Sequence, residues 1–126
     1  MDETKPILVL VTLQRACARL IRTGADLALK QRCPLYVLHV TTPDEKADAA
    51  IYAQALDYLY ALAGEAGAQM CVLAAEVPVT AMANYAQTNG IRQVIMGGGE
   101  QASGIAETLS KLMPGVQVLI MDAEET

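Results

Sequence analysis

From residue 97 to residue 104 the chain reads Gly-Gly-Gly-Glu-Gln-Ala-Ser-Gly, its most chemically informative stretch. Glycine tolerates positive φ and has no Cβ, so Gly97, Gly98 and Gly99 would let a phosphate come close to the backbone amides. A helix is expected to begin at about Gly104. A helix N-terminus favours anions because its first amides have no partner inside the helix. Ser103 and Gly104 would stand at that entrance. Glu100 works against a phosphate, since it puts a carboxylate in the same loop. A tight strand-to-helix connection without a ligand is the competing reading of these glycines.

The other chemistry-bearing residues are fewer. His39 is the single histidine. An imidazole near a strand end can act as acid or base near neutral pH. No Asp, Ser or Cys is spaced around it as a triad would require, so a hydrogen-bonded structural histidine is the reading adopted. Arg15, Arg19 and Arg22 form a row at helical spacing that resembles an anion-binding strip. An exposed helix face, with Arg22 four residues before Asp26, is the simpler account. Of these, Arg15 lies nearest the first strand end and is the one most worth testing. The carboxylates fall on solvated faces or at termini, and no acid/base pair emerges. Cys17, Cys33 and Cys71 show no metal-ligand spacing, and their odd number does not suggest a disulfide framework. They are expected to be buried thiols.

These residues must be positioned by an alternation of strands and helices. Ile7 to Val11 is a continuous aliphatic run, as expected for a strand covered on both faces. From Gln14 to about Gln31 the period turns helical, with Cys17, Leu20, Ile21, Gly24 and Ala28 on one face. Leu35 to Val40 is the second strand. Thr42-Pro43-Asp44-Glu45 carries the signals of a helix start, and that helix should run to about Ala63 before Gly64 and Gly67 release it. Tyr52, Leu56, Leu59 and Ala63 form its core stripe. Gln69 to Leu73 is a short third strand. Pro78 opens a helix that ends at Asn89-Gly90. Gln93 to Met96 is the fourth strand, and a last helix from about Gly104 stops at Pro114-Gly115. Val116 to Met121 is the fifth strand. Strands joined by helical crossovers force a mostly parallel sheet. Ligands of such sheets bind beyond the carboxyl ends of the strands, near the point where strand order reverses. That directs attention to Thr12-Leu13-Gln14, to Thr41-Thr42 and to the glycine loop.

Composition agrees with one α/β domain over residues 1–126. An apolar fraction of 53% with 18% charged residues excludes a disordered chain. No apolar run approaches the ~20 residues of a membrane span, and no secretory pattern precedes Ile7. A cytosolic protein with no membrane partner is expected. The net charge of −5 argues against nucleic-acid binding. Five of the nine basic residues lie between Arg15 and Arg32, while Asp122, Glu124 and Glu125 make an acidic tail.

Several short segments together resemble the universal stress protein family. Ile7-Leu8-Val9 before a turn and long helix is similar to the family's opening. Leu38-His39-Val40 resembles the end of its second strand, and Val94-Ile95-Met96-Gly97 the end of its fourth. Ile105-Ala106-Glu107, Pro114 and Val118-Leu119-Ile120 resemble its final helix and strand. The resemblance implies a three-layer fold: a five-stranded parallel sheet in order 3-2-1-4-5, with helices on both faces. It also implies a homodimer formed through the strand at 116–121. Ala18-Arg19-Leu20-Ile21-Arg22 and Ala83-Asn84-Tyr85-Ala86 further resemble the stress-protein module of the potassium-sensing histidine kinase KdpD. With no kinase or membrane region, this chain would be a free-standing relative.

The family's ATP-binding branch has a signature of Gly, two residues, Gly, nine residues, then Gly-Ser or Gly-Thr. Gly97 matches its first glycine, but Glu100 stands where the second would fall. Ser103-Gly104 is the nearest equivalent of the closing pair, too early and reversed. Thr12 replaces the acidic residue after the first strand, whereas Val40 matches a position that lines adenine. The ATP loop thus reads as degenerate. The resemblance implies a non-enzymatic signalling or stress protein. It would bind an adenine nucleotide (AMP, ATP or cyclic di-adenylate) weakly among Thr12, Leu13, Val40, Gly97, Gly98 and Ser103. A nucleotide-free interaction module that dimerises or docks is the alternative. An enzyme hydrolysing ATP or transferring adenylate is less well supported, because neither a complete phosphate loop nor a general base is visible.

Overall fold

The computed structural model describes residues 5–11, 17–42, 49–98 and 102–121. In chain order these form β1 (Ile7–Leu10), α1 (Cys17–Gln31), β2 (Leu35–Thr41), α2 (Ala49–Glu65), β3 (Gln69–Ala74), α3 (Pro78–Thr88), β4 (Gln93–Gly97), α4 (Ala102–Leu112) and β5 (Gln117–Met121). All five strands are parallel, in the order β3-β2-β1-β4-β5.

The alternation of side chains along each strand splits the core in two. Ile7, Val9, Val11, Leu35, Val37 and Ile95 face Leu20, Ile21 and Ala28 of α1 and Leu59 and Ala63 of α2. Leu8, Leu10, Leu38, Val40, Val94 and Met96 face Ala83 and Ala86 of α3 and Ala102 and Leu109 of α4. Burial on both faces explains why β1 is uninterrupted aliphatic sequence, with every residue from Ile7 to Leu10 buried. The result is three layers, α1/α2, sheet and α3/α4. No described helix is long and apolar enough to cross a membrane.

Three helices end in the same way. At α2 the Ala68 amide donates to the Ala63 carbonyl at 2.9 Å, across Gly67 with φ +72°. At α3 the Ile91 amide donates to the Ala86 carbonyl at 2.9 Å, across Gly90 with φ +70°. Both are Schellman closures, in which a left-handed residue turns the chain off the helix axis. At α1 the Cys33 amide donates to Ala28 at 3.0 Å, but the left-handed residue is Arg32, with φ +57°.

Several boundaries move from those expected. Helix α2 runs through Gly64 to Glu65, and its left-handed stop is Gly67 alone. Its expected start at Pro43, Asp44 and Glu45 lies outside the described residues. Helix α4 already includes Ala102, two residues before Gly104, and Ala102 packs into the α3/α4 core. Of the cysteines expected to be buried, Cys33 and Cys71 are only half-buried, and the side chain of Cys17 is outside the described set. Burial pushes the Cys33 thiol pKa up.

Candidate functional site at the carboxyl end of the sheet

The strand order places the switch point at β1. The chain moves outward from β1 through β2 to β3, then returns to the other side of β1 with β4 and β5. Register aligns the relevant strand ends. Leu10 pairs with both Leu38 and Met96, and Gly97 pairs with Met121. The Val11 amide extends the β1–β2 ladder by donating to the Leu38 carbonyl at 3.0 Å.

His39 helps fix this end. It is 2% exposed, and its Nδ1 lies 2.9 Å from the Val11 carbonyl oxygen. A carbonyl only accepts, so Nδ1 carries the hydrogen and donates it. The contact pins the end of β1 to β2 and gives the imidazole a structural task. Beside it Thr41 is also 2% exposed, and its carbonyl accepts from the Ala75 amide at 3.0 Å.

Of the expected ligand-binding residues, the structure brings Val40, Gly97, Gly98, Ser103 and Gly104 to this end. Val40 is buried on the α3/α4 face, in the same apolar cluster as Met96 and Ala102. Gly97 faces the other side, where an added Cβ would touch Leu20 Cδ1 at 3.4 Å. Ser103 and Gly104 are exposed in the first turn of α4, a turn that contains no acidic side chain. The first amides of a helix lack acceptors within it and carry partial positive charge, and the described start of α4 lies beyond the end of β4. Thr12, Leu13 and Gly99 lie outside the described residues, as do Arg15 and Glu100.

Gly98 plays a part that its sequence did not disclose. Its amide donates to the Met121 carbonyl at 2.7 Å, continuing the β4–β5 ladder one residue past Gly97. That donor is engaged by the protein, so the Gly98 amide is not free to hold a ligand. At this end of the sheet, the anion-binding groups among the described residues are the first turn of α4 and the Ser103 hydroxyl. No group of three or more His, Cys, Asp or Glu among the described residues could hold a metal ion.

A parallel sheet reversing at β1, with a helix start beyond the end of β4, defines a doubly wound α/β protein, a class whose ligands bind at the carboxyl edge of the sheet. The sequence profile described as the universal stress protein family matches residues 3–111, and the chain belongs to that family. Solved structures agree with the fold. A universal stress protein from Archaeoglobus fulgidus in complex with dAMP has a TM-score of 0.68 at 20% identity, over 94% of this chain and 98% of that one. A universal stress protein in complex with cAMP has a TM-score of 0.68 at 16% identity, over 98% and 100% of the two chains. The universal stress protein UspA from Lactobacillus plantarum has a TM-score of 0.70 at 16% identity, over 96% and 99%. No curated protein sequence matches this chain.

Proposed function

We propose that this chain is a non-catalytic stress-response or signalling protein that binds an adenine nucleotide weakly at the carboxyl end of β1 and β4. The observation that carries this reading is the first turn of α4, open at Ser103 and Gly104 and free of acidic side chains. That turn is suited to a phosphate. Two structural relatives, solved with dAMP and with cAMP, support an adenine nucleotide as the ligand class. The binding is weak because the Gly98 amide is committed to Met121. In this reading Val40 lines the base, and the phosphate rests at Ser103 and Gly104. The similarity of residues 18–22 and 83–86 to the KdpD module makes cyclic di-adenylate a ligand to test beside AMP and ATP.

Calorimetric titration with the three nucleotides tests the proposal, alongside thermal shift. A ligand that binds only the folded state raises its melting temperature by mass action. Ser103→Glu should abolish the heat without lowering stability, since an acidic residue in the first turn suits the helix dipole but repels a phosphate. Absence of heat and of thermal shift at millimolar nucleotide would refute binding. Turnover of ATP by the pure protein would refute the non-catalytic reading.

The same reading includes a homodimer through β5. Leu119 and Ile120 on this edge strand are 47% and 40% exposed, more apolar surface than an unpaired edge usually shows. If nucleotide binding fails, a dimeric interaction module working through this edge is the function that remains.

A further inference from the structure

At the opposite, amino-terminal end of the sheet there is a cavity of about 300 Å³ that the nucleotide reading does not use. Strand register builds it. Ile7 pairs with Gln93, and Gln93 with Gln117, so the residues just before these positions emerge side by side. They bring Lys5, Arg92 and Val116 to one place, and the ends of α3 and α4 close the wall.

The lining separates into an apolar floor and a cationic rim. Ile91 and Met113 are 1% and 7% exposed, and half-buried Val116 packs against the same cluster. Lys5 and Arg92 are exposed above them. Among the described residues no acidic side chain lines the cavity, although the chain as a whole carries a net charge of −5.

Three neighbouring backbone amides and one side-chain amide are already engaged. The Gly90 amide donates to Gln87 at 3.3 Å, Ile91 to Ala86 at 2.9 Å and Val116 to Met113 at 3.1 Å. The Gln87 side-chain amide donates to the Leu112 carbonyl at 3.1 Å. The charged side chains of Lys5 and Arg92 are therefore the groups at hand for a ligand.

Gly115 gives Arg92 its seat. A Cβ built there would stand 2.9 Å from Arg92 Nη2, and the glycine has φ +94°, a conformation other residues rarely adopt. The guanidinium lies beside Gly115, where a side chain would make it shift. The carbonyl ends of α3 and α4 attract cations to this region. That attraction accounts for the charges, but not for an apolar hollow beneath them.

We propose that this cavity binds a small organic anion, a carboxylate or phosphate monoester, with its head group held by Arg92 and Lys5 and an apolar body over Ile91, Met113 and Val116. A planar guanidinium suits either head group because it can donate two parallel hydrogen bonds. The volume lies at the lower end of ligand pockets, about 300–1,000 Å³. Inorganic phosphate alone would leave most of the space and the whole apolar floor unused.

Amide NMR of the whole chain, titrated separately with 1-naphthyl phosphate, 1-naphthoate, neutral 1-naphthol and inorganic phosphate, tests this. At least one aryl anion should shift the Gly90, Ile91 and Val116 resonances saturably and leave Gly97 and Gly98 unmoved. The tighter of the two identifies the head group. 1-Naphthol and inorganic phosphate should bind more weakly than that anion. Arg92→Gln and Lys5→Gln should each weaken binding about tenfold, the scale of one charge-assisted hydrogen bond, and Arg92→Lys should recover part of the loss. Should either Gln variant fail to fold, the other carries the comparison. The proposal is overturned by no saturable shift up to roughly 10 mM, by shifts centred on Gly97 and Gly98, by equal affinity for 1-naphthol, or by unchanged affinity in a folded Gln variant. Because the shifts are located by residue, failure here and failure of nucleotide binding are separate outcomes.

Discussion

A methyl group at Gly24 would stand 2.5 Å from Cγ2 of Val9 and 3.2 Å from Cδ1 of Leu35. Val9 is fully buried and β-branched, so its methyl cannot swing aside. Gly24 thus sets how closely α1 lies on the sheet.

Two effects compete in Gly24→Ala. Helix propensity favours alanine by about 1 kcal/mol, while forcing a methyl into a packed core costs roughly 1–3 kcal/mol. The clash should win, with a net loss of about 1 kcal/mol in denaturant unfolding and a melting point a few degrees lower. In a Val9→Ala background, which removes the obstructing methyl, Gly24→Ala should become neutral or stabilising. A stabilised single variant would show that α1 can lift from the sheet at no cost.

Arg32 closes α1 in a left-handed conformation that is unfavourable for a residue with a Cβ. That conformation costs roughly 1–2 kcal/mol for an L-residue, and the extra freedom of glycine in the unfolded chain returns about 0.5–1 kcal/mol. Arg32→Gly should therefore stabilise by about 0.5–1 kcal/mol, read as a higher denaturation midpoint with an unchanged slope. A lower midpoint would mean that the exposed arginine side chain makes contacts that outweigh the strain.

Tyr85 packs edge-on against Tyr36, with ring centroids 6.1 Å apart and planes at 77°. Its pKa is raised to about 12, first by burial and then by neighbouring Cys71 and Tyr36. The unfolded phenol ionises near its ordinary value of 10.0, so above that pH the unfolded chain holds fewer protons than the folded one. Stability should consequently fall as pH rises from about 10 to about 12. The ring is only half-buried, and solvent screening will keep the loss small. Tyr85→Phe should flatten that alkaline limb in pH-dependent melting, while a limb of unchanged steepness would assign it to other groups.

Leu119→Lys tests the proposed dimer more cleanly than a change at Val118. Val118 is half-buried against the α3/α4 cluster, whereas Leu119 is exposed. Sedimentation should show the variant as a monomer at concentrations where the parent chain pairs. A dimer of unchanged strength would rule out β5 as the contact.

The fold was legible because the local signals agree with one another. The unbroken run at Ile7–Leu10 meant burial on both faces, and the glycines at 67 and 90 meant helix stops. The end of α1 was legible only as a loss of period, since Arg32 takes a turn that normally announces itself with glycine. The start of α4 was read at about Gly104, which looks like a boundary, whereas the helix already includes Ala102, buried in the α3/α4 core. At the candidate site the glycine run was visible, but the engagement of the Gly98 amide was not. It depends on Met121, brought alongside by strand register from 23 residues further on (121 − 98). The juxtaposition of Lys5 with Arg92 is hidden for the same reason. Parallel register joins residues across whole crossover units and leaves no trace in local pattern.

The 2.7 Å hydrogen bond from Gly98 to Met121 ties the end of the last strand to the residue that follows β4. If a second copy pairs along β5, it braces the segment from which a nucleotide's phosphate would be held. Occupancy and pairing are then linked equilibria, and reciprocity requires each to change the other by the same factor. The free-energy difference between nucleotide affinities of monomer and dimer should equal the shift in dimer dissociation caused by saturating nucleotide. A nucleotide held at the start of α4 would, on these terms, report on assembly.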